Sequence, residues 1–172
     1  AALVDLKLPV VTHPLQAMVT TPLKPFLDVV VVSASLHVYV SQTDRGELVI
    51  GAGINPYASY SHQSTLNFME NAAHHLLELL PGLANVRVMR QWAGSCDMTP
   101  DYSPIMGFTP VQGFVQDVGW GTYGFKASPI AGKTMAELIA TGETPHLIAP
   151  FALERFFNDQ LVGEKAAASV GH

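Results

Sequence analysis

A glycine-rich segment at residues 119–124 (GWGTYG) is the stretch of this sequence whose residue types point most directly to chemistry. Residues 113–118 before it predict a short strand. A helix is predicted after it, with Ser128 as N-cap, Pro129 at the first helical position and Gly142 just past the end. A helix that follows such a turn presents free backbone N–H groups and the positive end of its dipole. We therefore expect this segment to face an anion or a cofactor.

The spacing of the turn also matches G-x-G-x-x-G, the fingerprint of dinucleotide-binding folds. That fingerprint needs a second strand after the helix, with an acidic residue at its end. Here the helix is followed by residues 142–145 (GETP) and by proline-broken sequence. Trp120 and Tyr123 are also bulky for a turn that must approach a pyrophosphate. We therefore reject a dinucleotide site for this turn, and we interpret the similar residues 51–56 (GAGINP) as a simple turn.

The first half of the chain predicts an antiparallel β-meander with one helix. Runs rich in β-branched residues predict strands at residues 9–12, 15–21, 29–33, 36–41 and 47–51. Turn residues separate them at His13-Pro14, 22–25 and 43–46, and the last of these is typical of a hairpin. The four valines at 29–32 predict a fully buried strand.

A helix is predicted over residues 65–80, where Pro81-Gly82 ends an amphipathic pattern. Its expected apolar stripe consists of Leu66, Met69, Ala73, Leu76, Leu77 and Leu80. His74 and His75 lie inside this helix, but adjacent helical residues point about 100° apart. No cluster of carboxylates or cysteines accompanies them, so we predict no metal site.

The second half begins with an extended segment, residues 85–98, in which Gly94 and Ser95 leave room for a flat group to approach the backbone. A loop at 99–104, a short strand at 105–109 and a short helix at 151–157 follow. The pattern changes near residue 100, which predicts two lobes, residues 1–100 and residues 101–172.

Composition and charge exclude several classes of function. The net charge of −5 and the lack of a basic patch argue against a nucleic-acid partner. The single cysteine, Cys96, excludes an internal disulfide and is typical of a reducing compartment. No apolar run is long enough to span a bilayer and no signal peptide is present, so we expect a cytoplasmic protein without a membrane partner. The chain begins Ala-Ala-Leu without an initiator Met, which indicates a fragment, a processed subunit or part of a longer protein.

Several separated motifs, from about Leu8 to His172, resemble one family. The order and spacing of these motifs resemble the C-terminal part of the D-amino-acid-oxidase-type FAD amine oxidases. The motifs are residues 90–94 (RQWAG), 99–101 (TPD) with 104–107 (PIMG), and 119–121 (GWG) with 124–126 (GFK). The resemblance narrows to the β subunits of heterotetrameric sarcosine oxidases at residues 13–16 (HPLQ), 41–44 (SQTD) and 150–156 (PFALERF).

The resemblance implies an α+β fold with an antiparallel substrate domain and a C-terminal strand–turn–helix portion of an α/β FAD-binding domain. It implies oxidation of the C–N bond of sarcosine by hydride transfer to noncovalently bound FAD, and hydrolysis of the imine to glycine and formaldehyde. It also implies other sarcosine oxidase subunits as partners and an FMN at a subunit interface. The family's dinucleotide fingerprint and its FMN-carrying histidine lie upstream. We therefore expect a C-terminal piece that needs the N-terminal half of its subunit and is inactive alone.

The resemblance also assigns roles to residues of the turn. N–H groups at Gly124, Phe125 and Lys126 are expected to stabilise negative charge near the flavin N1 and C2 carbonyl. Lys126 is expected to hold the substrate carboxylate. Trp120 and Tyr123 are expected either to wall the flavin or substrate cavity or to pack between lobes. The cofactor-contacting set is completed by Gly94, Gly119 and Gly121.

Two further positions differ from monomeric members of the family. Cys96 lies near the position at which they attach FAD covalently, and we interpret it as a small buried residue. Val49 falls near the lysine that they use to activate oxygen, and an apolar residue there suits a flavin that passes its electrons on.

Two alternatives remain open from the sequence. The first alternative is a subunit of a related secondary-amine or N-methyl amino acid dehydrogenase. The second is a non-catalytic assembly fragment that kept the fold. No histidine of the chain is a convincing general base.

Overall fold

The computed structural model describes residues 1–162 of the chain. The described residues form two compact units: one contains Ala1–Thr12 and residues 96–162, and the other contains His13–Ser95. We call them unit 1 and unit 2. The predicted mixture of helices with an antiparallel sheet is confirmed. Among the described residues, no helix is long and apolar enough to cross a membrane.

Unit 2 is built on a five-stranded sheet. Its strands are β1 (Val11–Thr20), β2 (Val31–Ser33), β3 (Val38–Gln42), β4 (Leu48–Ile54) and β5 (Val88–Met98). Their order is β2-β3-β4-β1-β5, so the predicted meander holds for β2 to β4 while β1 lies between β4 and β5. β1 pairs with β4 in the antiparallel sense, with Met18 opposite Ile50 and Val19 opposite Val49.

The hairpin predicted at residues 43–46 is confirmed. Thr43 N–H donates to the Glu47 carbonyl at 2.9 Å, and Gly46 N–H donates to the Thr43 carbonyl at 2.9 Å. Gly46 has φ +99°, and a Cβ there would lie 2.3 Å from the Leu23 carbonyl oxygen. Only glycine therefore fits this corner.

The turn predicted at His13-Pro14 is wrong, because β1 runs straight through it. The Pro14 carbonyl accepts a hydrogen bond from Asn55 N–H at 3.2 Å. The pairing of β1 with β4 shifts register between Leu15 and Ala17. A proline is tolerated in a strand at such an irregularity, since its missing N–H need not join the ladder.

The fully buried strand predicted at residues 29–32 is also wrong. Val29, Val30 and Val32 are 64%, 63% and 65% exposed. β2 begins only at Val31 and forms the edge of the sheet. An edge strand is covered on fewer sides than a central one, and a run of valines does not tell the two apart.

The helix predicted over residues 65–80 is α1 (Leu66–Leu79), which covers one face of the sheet. The Thr65 hydroxyl caps it by accepting from Phe68 N–H at 3.2 Å. Its buried residues are Phe68, Ala72 and Leu76, which pack on Met18, Val38, Val40, Leu48 and Ile50. The predicted stripe is therefore wrong in part, since Leu66 is 61% exposed and Leu77 is 36% exposed.

Unit 1 contains the hairpin of β6 (Ile105–Phe108) and β7 (Val115–Val118), followed by α2 (Gly124–Thr141). Two 3-10 turns, Ala149–Phe151 and Leu153–Phe156, replace the helix predicted at 151–157. The core of this unit consists of Met106, Ala131, Met135, Leu138 and Ile148. The end of the predicted second lobe, residues 163–172, lies outside the described residues.

Candidate functional site

The helix after the glycine turn begins five residues earlier than predicted, so Ser128 as N-cap and Pro129 as first helical residue are wrong. α2 starts at Gly124, and both residues lie inside it. Pro129 has no N–H for the Phe125 carbonyl one turn back. The Ser128 hydroxyl donates to that carbonyl at 2.9 Å instead. The end of the helix is as predicted: Gly142 has φ +73°, and its N–H donates to the Leu138 carbonyl at 2.9 Å.

The glycines of the turn set the path of the backbone from β7 into α2. Gly119 has φ +71°, and a Cβ there would lie 2.6 Å from Thr99 Cγ2. Gly121 has φ +53°, and its N–H donates to the Asp97 carbonyl at 2.9 Å. Any side chain at Gly119 would strain the backbone and collide with its neighbour. These two glycines are thus explained by steric demands within unit 1.

The N-terminus of α2 offers backbone donors with no acceptor in the helix. The first α-helical hydrogen bond after the turn runs from Ala127 N–H to the Tyr123 carbonyl at 3.2 Å. The N–H groups of Gly124, Phe125 and Lys126 precede it, and Tyr123 makes no side-chain cap bond to them. The Phe125 side chain is 95% exposed, and Lys126 is exposed beside it. This end of the helix can therefore receive an anionic group.

The two aromatic residues of the turn are half-buried. Trp120 packs against the core of unit 1, and its indole N–H donates to Asp117 Oδ1 at 2.6 Å. Tyr123 N–H donates to the Trp120 carbonyl at 3.0 Å. Trp120 thus holds the turn on its own unit. A role for Trp120 or Tyr123 in walling a cofactor cavity stays a prediction.

The remaining predicted cofactor contact, Gly94, lies in β5 within unit 2. It is exposed, and a Cβ there would meet no heavy atom within 4 Å. The open space is what a flat group would need, but no local clash requires glycine. Its cofactor role stays a prediction.

Cys96 is a small buried residue, 4% exposed, with its Sγ 3.4 Å from Met98 Sδ. Burial, helped by the negative charge of Asp97, raises the pKa of its thiol. A neutral thiol is a poor nucleophile. Val49, the other position singled out by comparison with monomeric oxidases, is half-buried in β4.

The ion pair of Asp101 with Arg155 was missed by sequence reasoning. Arg155 Nε lies 2.7 Å from Asp101 Oδ2, and both side chains are almost fully buried. Burial acts to raise the pKa of Asp101, but hydrogen bonds from Arg155, Val162 N–H and Ser103 N–H outweigh it, so the pKa lies below its usual value. In the sequence, the only feature that points to a buried pair is that Asp101 and Arg155 both lie within otherwise apolar or turn-forming motifs. The pair fixes the loop after β5 rather than offering reactive groups.

Among residues 1–162, no group of three or more histidine, cysteine, aspartate or glutamate side chains is placed to hold a metal ion. The rings of His74 and His75 lie 5.8 Å apart on α1, where His74 is exposed and His75 half-buried.

Comparisons with known proteins place this geometry in context. Residues 1–138 match the family described as FAD dependent oxidoreductase (DAO). The sarcosine oxidase subunit beta of Rhodobacter capsulatus is 44% identical over 100% of this chain, which covers 41% of that relative. The sarcosine oxidase subunit beta of an Arthrobacter species is also 44% identical over 100% of this chain, which covers 42% of it. The chain therefore spans about two fifths of the length of these homologues.

Solved structures of amino acid oxidoreductases share the fold. L-proline dehydrogenase from P. horikoshii superposes with a TM-score of 0.87 at 27% identity, over 94% of this chain and 44% of that one. Glycine oxidase from Geobacillus kaustophilus superposes with a TM-score of 0.81 at 26% identity, over 90% of this chain and 41% of that one.

Proposed function

The chain belongs to the family of FAD-dependent oxidoreductases, and we propose that it forms part of a sarcosine oxidase β subunit that oxidises sarcosine to glycine and formaldehyde. The observation that carries the proposal is the uncapped N-terminus of α2, with Lys126 exposed in its first turn, directly after the glycine turn. The 44% identity to two sarcosine oxidase β subunits over the whole chain supports this choice of substrate.

The residues of unit 1 fit one edge of a flavin. The N–H groups of Gly124, Phe125 and Lys126 have no acceptor within α2, and they lie at the positive end of the helix dipole. FAD, when bound, accepts the hydride that leaves the carbon next to the substrate nitrogen. Negative charge that develops on the cofactor edge would be stabilised by these fixed donors, which need no reorganisation during the reaction.

Lys126 has a separate task at the same helix end. A single cation there would bind the carboxylate of a small amino acid and so orient its nitrogen and N-methyl carbon. Loss of the hydride and the amine proton yields an imine, and water hydrolyses it to glycine and formaldehyde. Binding the carboxylate also selects amino acids over simple amines.

The rest of the subunit is required by this proposal. We propose that residues 1–100 supply the substrate domain and residues 101–172 the C-terminal part of the FAD-binding domain. The G-x-G-x-x-G of residues 119–124 does not supply the site for the ADP half of FAD, since no strand follows α2 in the part of the chain that the structure describes. That site belongs to the portion of the homologues that this chain does not span. The proposed complex also contains the other sarcosine oxidase subunits and an FMN between them.

A chimera tests the proposal. The segment of the Rhodobacter capsulatus β subunit that matches this chain is replaced by residues 1–172, and the hybrid is produced with the other subunits of that enzyme. We expect a yellow complex whose flavin absorbance is bleached by sarcosine without oxygen, with formaldehyde as product. A hybrid that assembles but retains no flavin would instead indicate an assembly fragment.

A related dehydrogenase is the second candidate, since the fold superposes on an L-proline dehydrogenase and a glycine oxidase as well. The same hybrid distinguishes the two in a substrate panel of sarcosine, N-methylglutamate, proline and glycine. We expect sarcosine to reduce the flavin with the highest kcat/KM. A preference for another secondary amine would support flavin-dependent amine oxidation but contradict sarcosine as the substrate.

A further inference from the structure

The first turn of α2 is weakened by a proline that follows it. Pro129 lies inside α2, which begins at Gly124. Proline has no N–H, so it cannot donate to the Phe125 carbonyl one turn back. It also disfavours the helical conformation in the residue before it, which here is Ser128. The backbone alone therefore gives this end of the helix less stability than the rest.

The Ser128 side chain supplies the hydrogen bond that the proline cannot make. Its hydroxyl donates to the Phe125 carbonyl at 2.9 Å. The first backbone bond of the helix, from Ala127 N–H to the Tyr123 carbonyl, is longer, at 3.2 Å, which is the upper limit of the usual range. The Ser128 hydroxyl thus ties the first turn together at the position where the backbone ladder is interrupted.

The same two residues also fit a different start of the helix. Serine is a preferred N-cap, where its oxygen accepts an N–H from further along the helix, and proline is preferred at the first helical position. In that arrangement α2 would begin at Pro129, and residues 124–127 would belong to the loop. A hydroxyl both donates and accepts, so the direction of one hydrogen bond of Ser128 distinguishes the two starts. In the structure Ser128 donates, and the helix begins at Gly124.

The choice of start decides where the free N–H groups lie. With the start at Gly124, the N–H groups of Gly124, Phe125 and Lys126 belong to the first turn and point in one direction along the helix axis. With the start at Pro129, these three groups would lie in a loop without a common direction. Side-chain packing of Phe125 and Lys126 does not select the first arrangement, because Phe125 is 95% exposed and Lys126 is exposed as well. The hydroxyl bond of Ser128 does favour it.

We propose that Ser128 is a positioning residue for the flavin. By donating to the Phe125 carbonyl, it keeps the start of α2 at Gly124 and so keeps the three N–H groups aimed at one edge of the cofactor. This inference rests on the proposed function, in which those groups stabilise negative charge on the flavin. Ser128 acts through the backbone of the first turn and not by touching the substrate or the cofactor.

Three variants of the hybrid with the Rhodobacter capsulatus subunits test this role. Ser128→Asp keeps a side chain suited to an N-cap, but an ionised carboxylate cannot donate to the Phe125 carbonyl. Adding Pro129→Ala to that variant gives the carbonyl a backbone N–H again and leaves the new charge unchanged. Ser128→Thr keeps a hydroxyl, which in helices also bonds a carbonyl three or four residues back.

The first measurement is hydrogen exchange of the Ala127 amide, since its bond to the Tyr123 carbonyl requires the helix to begin at Gly124. We expect this exchange to be at least about fivefold faster in Ser128→Asp, which corresponds to one net hydrogen bond of about 1 kcal/mol. In Ser128→Thr and in the double variant it should stay within about twofold of the parent hybrid.

Thr141→Ala is the matched control for the exchange measurement. The Thr141 hydroxyl makes the same kind of bond, to the Glu137 carbonyl at 2.8 Å, at the other end of α2. Its removal should leave the exchange of Ala127 unchanged.

The second measurement is the midpoint potential of the bound FAD. We expect a lower potential in Ser128→Asp than in the double variant, because donors that have lost their common direction stabilise the reduced flavin less. The two variants carry the same added charge, so that charge cannot account for the difference. A merely structural role of Ser128 would leave the two potentials equal.

The inference is overturned if Ala127 exchanges equally fast in Ser128→Asp and in the parent hybrid. It is also overturned if Ser128→Thr or the double variant exchanges as fast as Ser128→Asp, since the lost donor would then not be the cause. Different exchange with equal potentials would overturn it too, because the first turn would not face the flavin.

Neither measurement uses sarcosine, so the inference and the proposed function can fail separately. A hybrid that binds FAD but is not reduced by sarcosine overturns the proposed function alone. A hybrid that binds no FAD overturns both.

Discussion

The buried pair of Asp101 and Arg155 gives the most quantitative prediction about stability. All five N–H groups of the guanidinium have acceptors. Nε and Nη2 donate to the Asp101 carboxylate at 2.7 and 2.9 Å, Nη2 also donates to the Ser103 carbonyl, and Nη1 donates to the carbonyls of Phe151 and Ala152. The pair therefore ties the loop after β5 to the two 3-10 turns near the C-terminal end of unit 1.

Asp101→Asn keeps the shape of the side chain but leaves the Arg155 charge buried and unpaired. Removing one partner of such a pair costs about 3–5 kcal/mol. The total stability of a domain is only about 5–15 kcal/mol. We therefore expect unit 1 of the variant to lose a large part of its free energy of unfolding.

Urea unfolding measures this loss. A Trp92→Phe background leaves Trp120, which packs on the core of unit 1, as the only tryptophan reporter. Asp28→Asn is the control, since Asp28 is exposed and its substitution should change stability by less than about 0.5 kcal/mol.

A double variant separates pairing from shape. Asp101→Leu with Arg155→Met removes both charges, and its cost should be smaller than the sum of the single costs by about 1–3 kcal/mol. The reasoning is refuted if Asp101→Asn costs no more than Asp28→Asn, or if the two single costs simply add.

Three further predictions follow from the described contacts. The pKa of Asp101 is lowered in the folded chain, so its contribution to stability is complete above the unfolded aspartate pKa of about 4 and is lost as pH falls through the lower folded value. Acidification should therefore lower the stability of the parent chain more than that of Asp101→Asn, as followed by Trp120 fluorescence. Gly119→Ala should lower the free energy of unfolding by about 1–3 kcal/mol because of φ +71° and the contact with Thr99. Gly132→Ala, which has open space around it on helix α2, should raise the free energy of unfolding by up to about 1 kcal/mol. Equal effects of the two variants in urea unfolding would contradict the steric argument. Thr65→Ala should lower the stability by about 1 kcal/mol through loss of the α1 cap, while Thr65→Ser should keep the cap and the stability. If thermal unfolding followed at 222 nm shows the serine variant to be as unstable as the alanine variant, the cap bond to Phe68 is not the cause.

Local chemistry allowed some elements to be predicted from the sequence. The hairpin at residues 43–46 and the helix end at Gly142 depend on a glycine with positive φ and on bonds within a few residues. Ser128-Pro129 misled the prediction because a serine before a proline also serves inside a helix, where its hydroxyl takes the carbonyl that proline leaves without a donor. The same residue types therefore fit two local structures.

Other features depend on contacts that are distant in sequence. Val29 and Val30 are exposed and lie before β2, outside the sheet, and β2 itself is an edge strand; a run of valines reveals neither fact. Asp101 and Arg155 are 54 residues apart, and no local pattern predicts that they meet. At the candidate site, the glycines at 119 and 121 have steric reasons that the structure supplies, while the proposed role of Lys126 depends on resemblance and on its exposure at the helix end.

The central claim is that Lys126 binds the substrate carboxylate, and one comparison tests it most directly. In the chimera with the Rhodobacter capsulatus subunit, Lys126→Met is measured against Lys133→Met, which removes an exposed lysine further along α2. The observable is the sarcosine concentration that half-saturates anaerobic flavin reduction. Losing a charged hydrogen bond of about 1.5–3 kcal/mol predicts a rise of roughly tenfold or more for Lys126→Met only, with flavin still bound and reducible by dithionite. Equal half-saturation in both variants would contradict the claim.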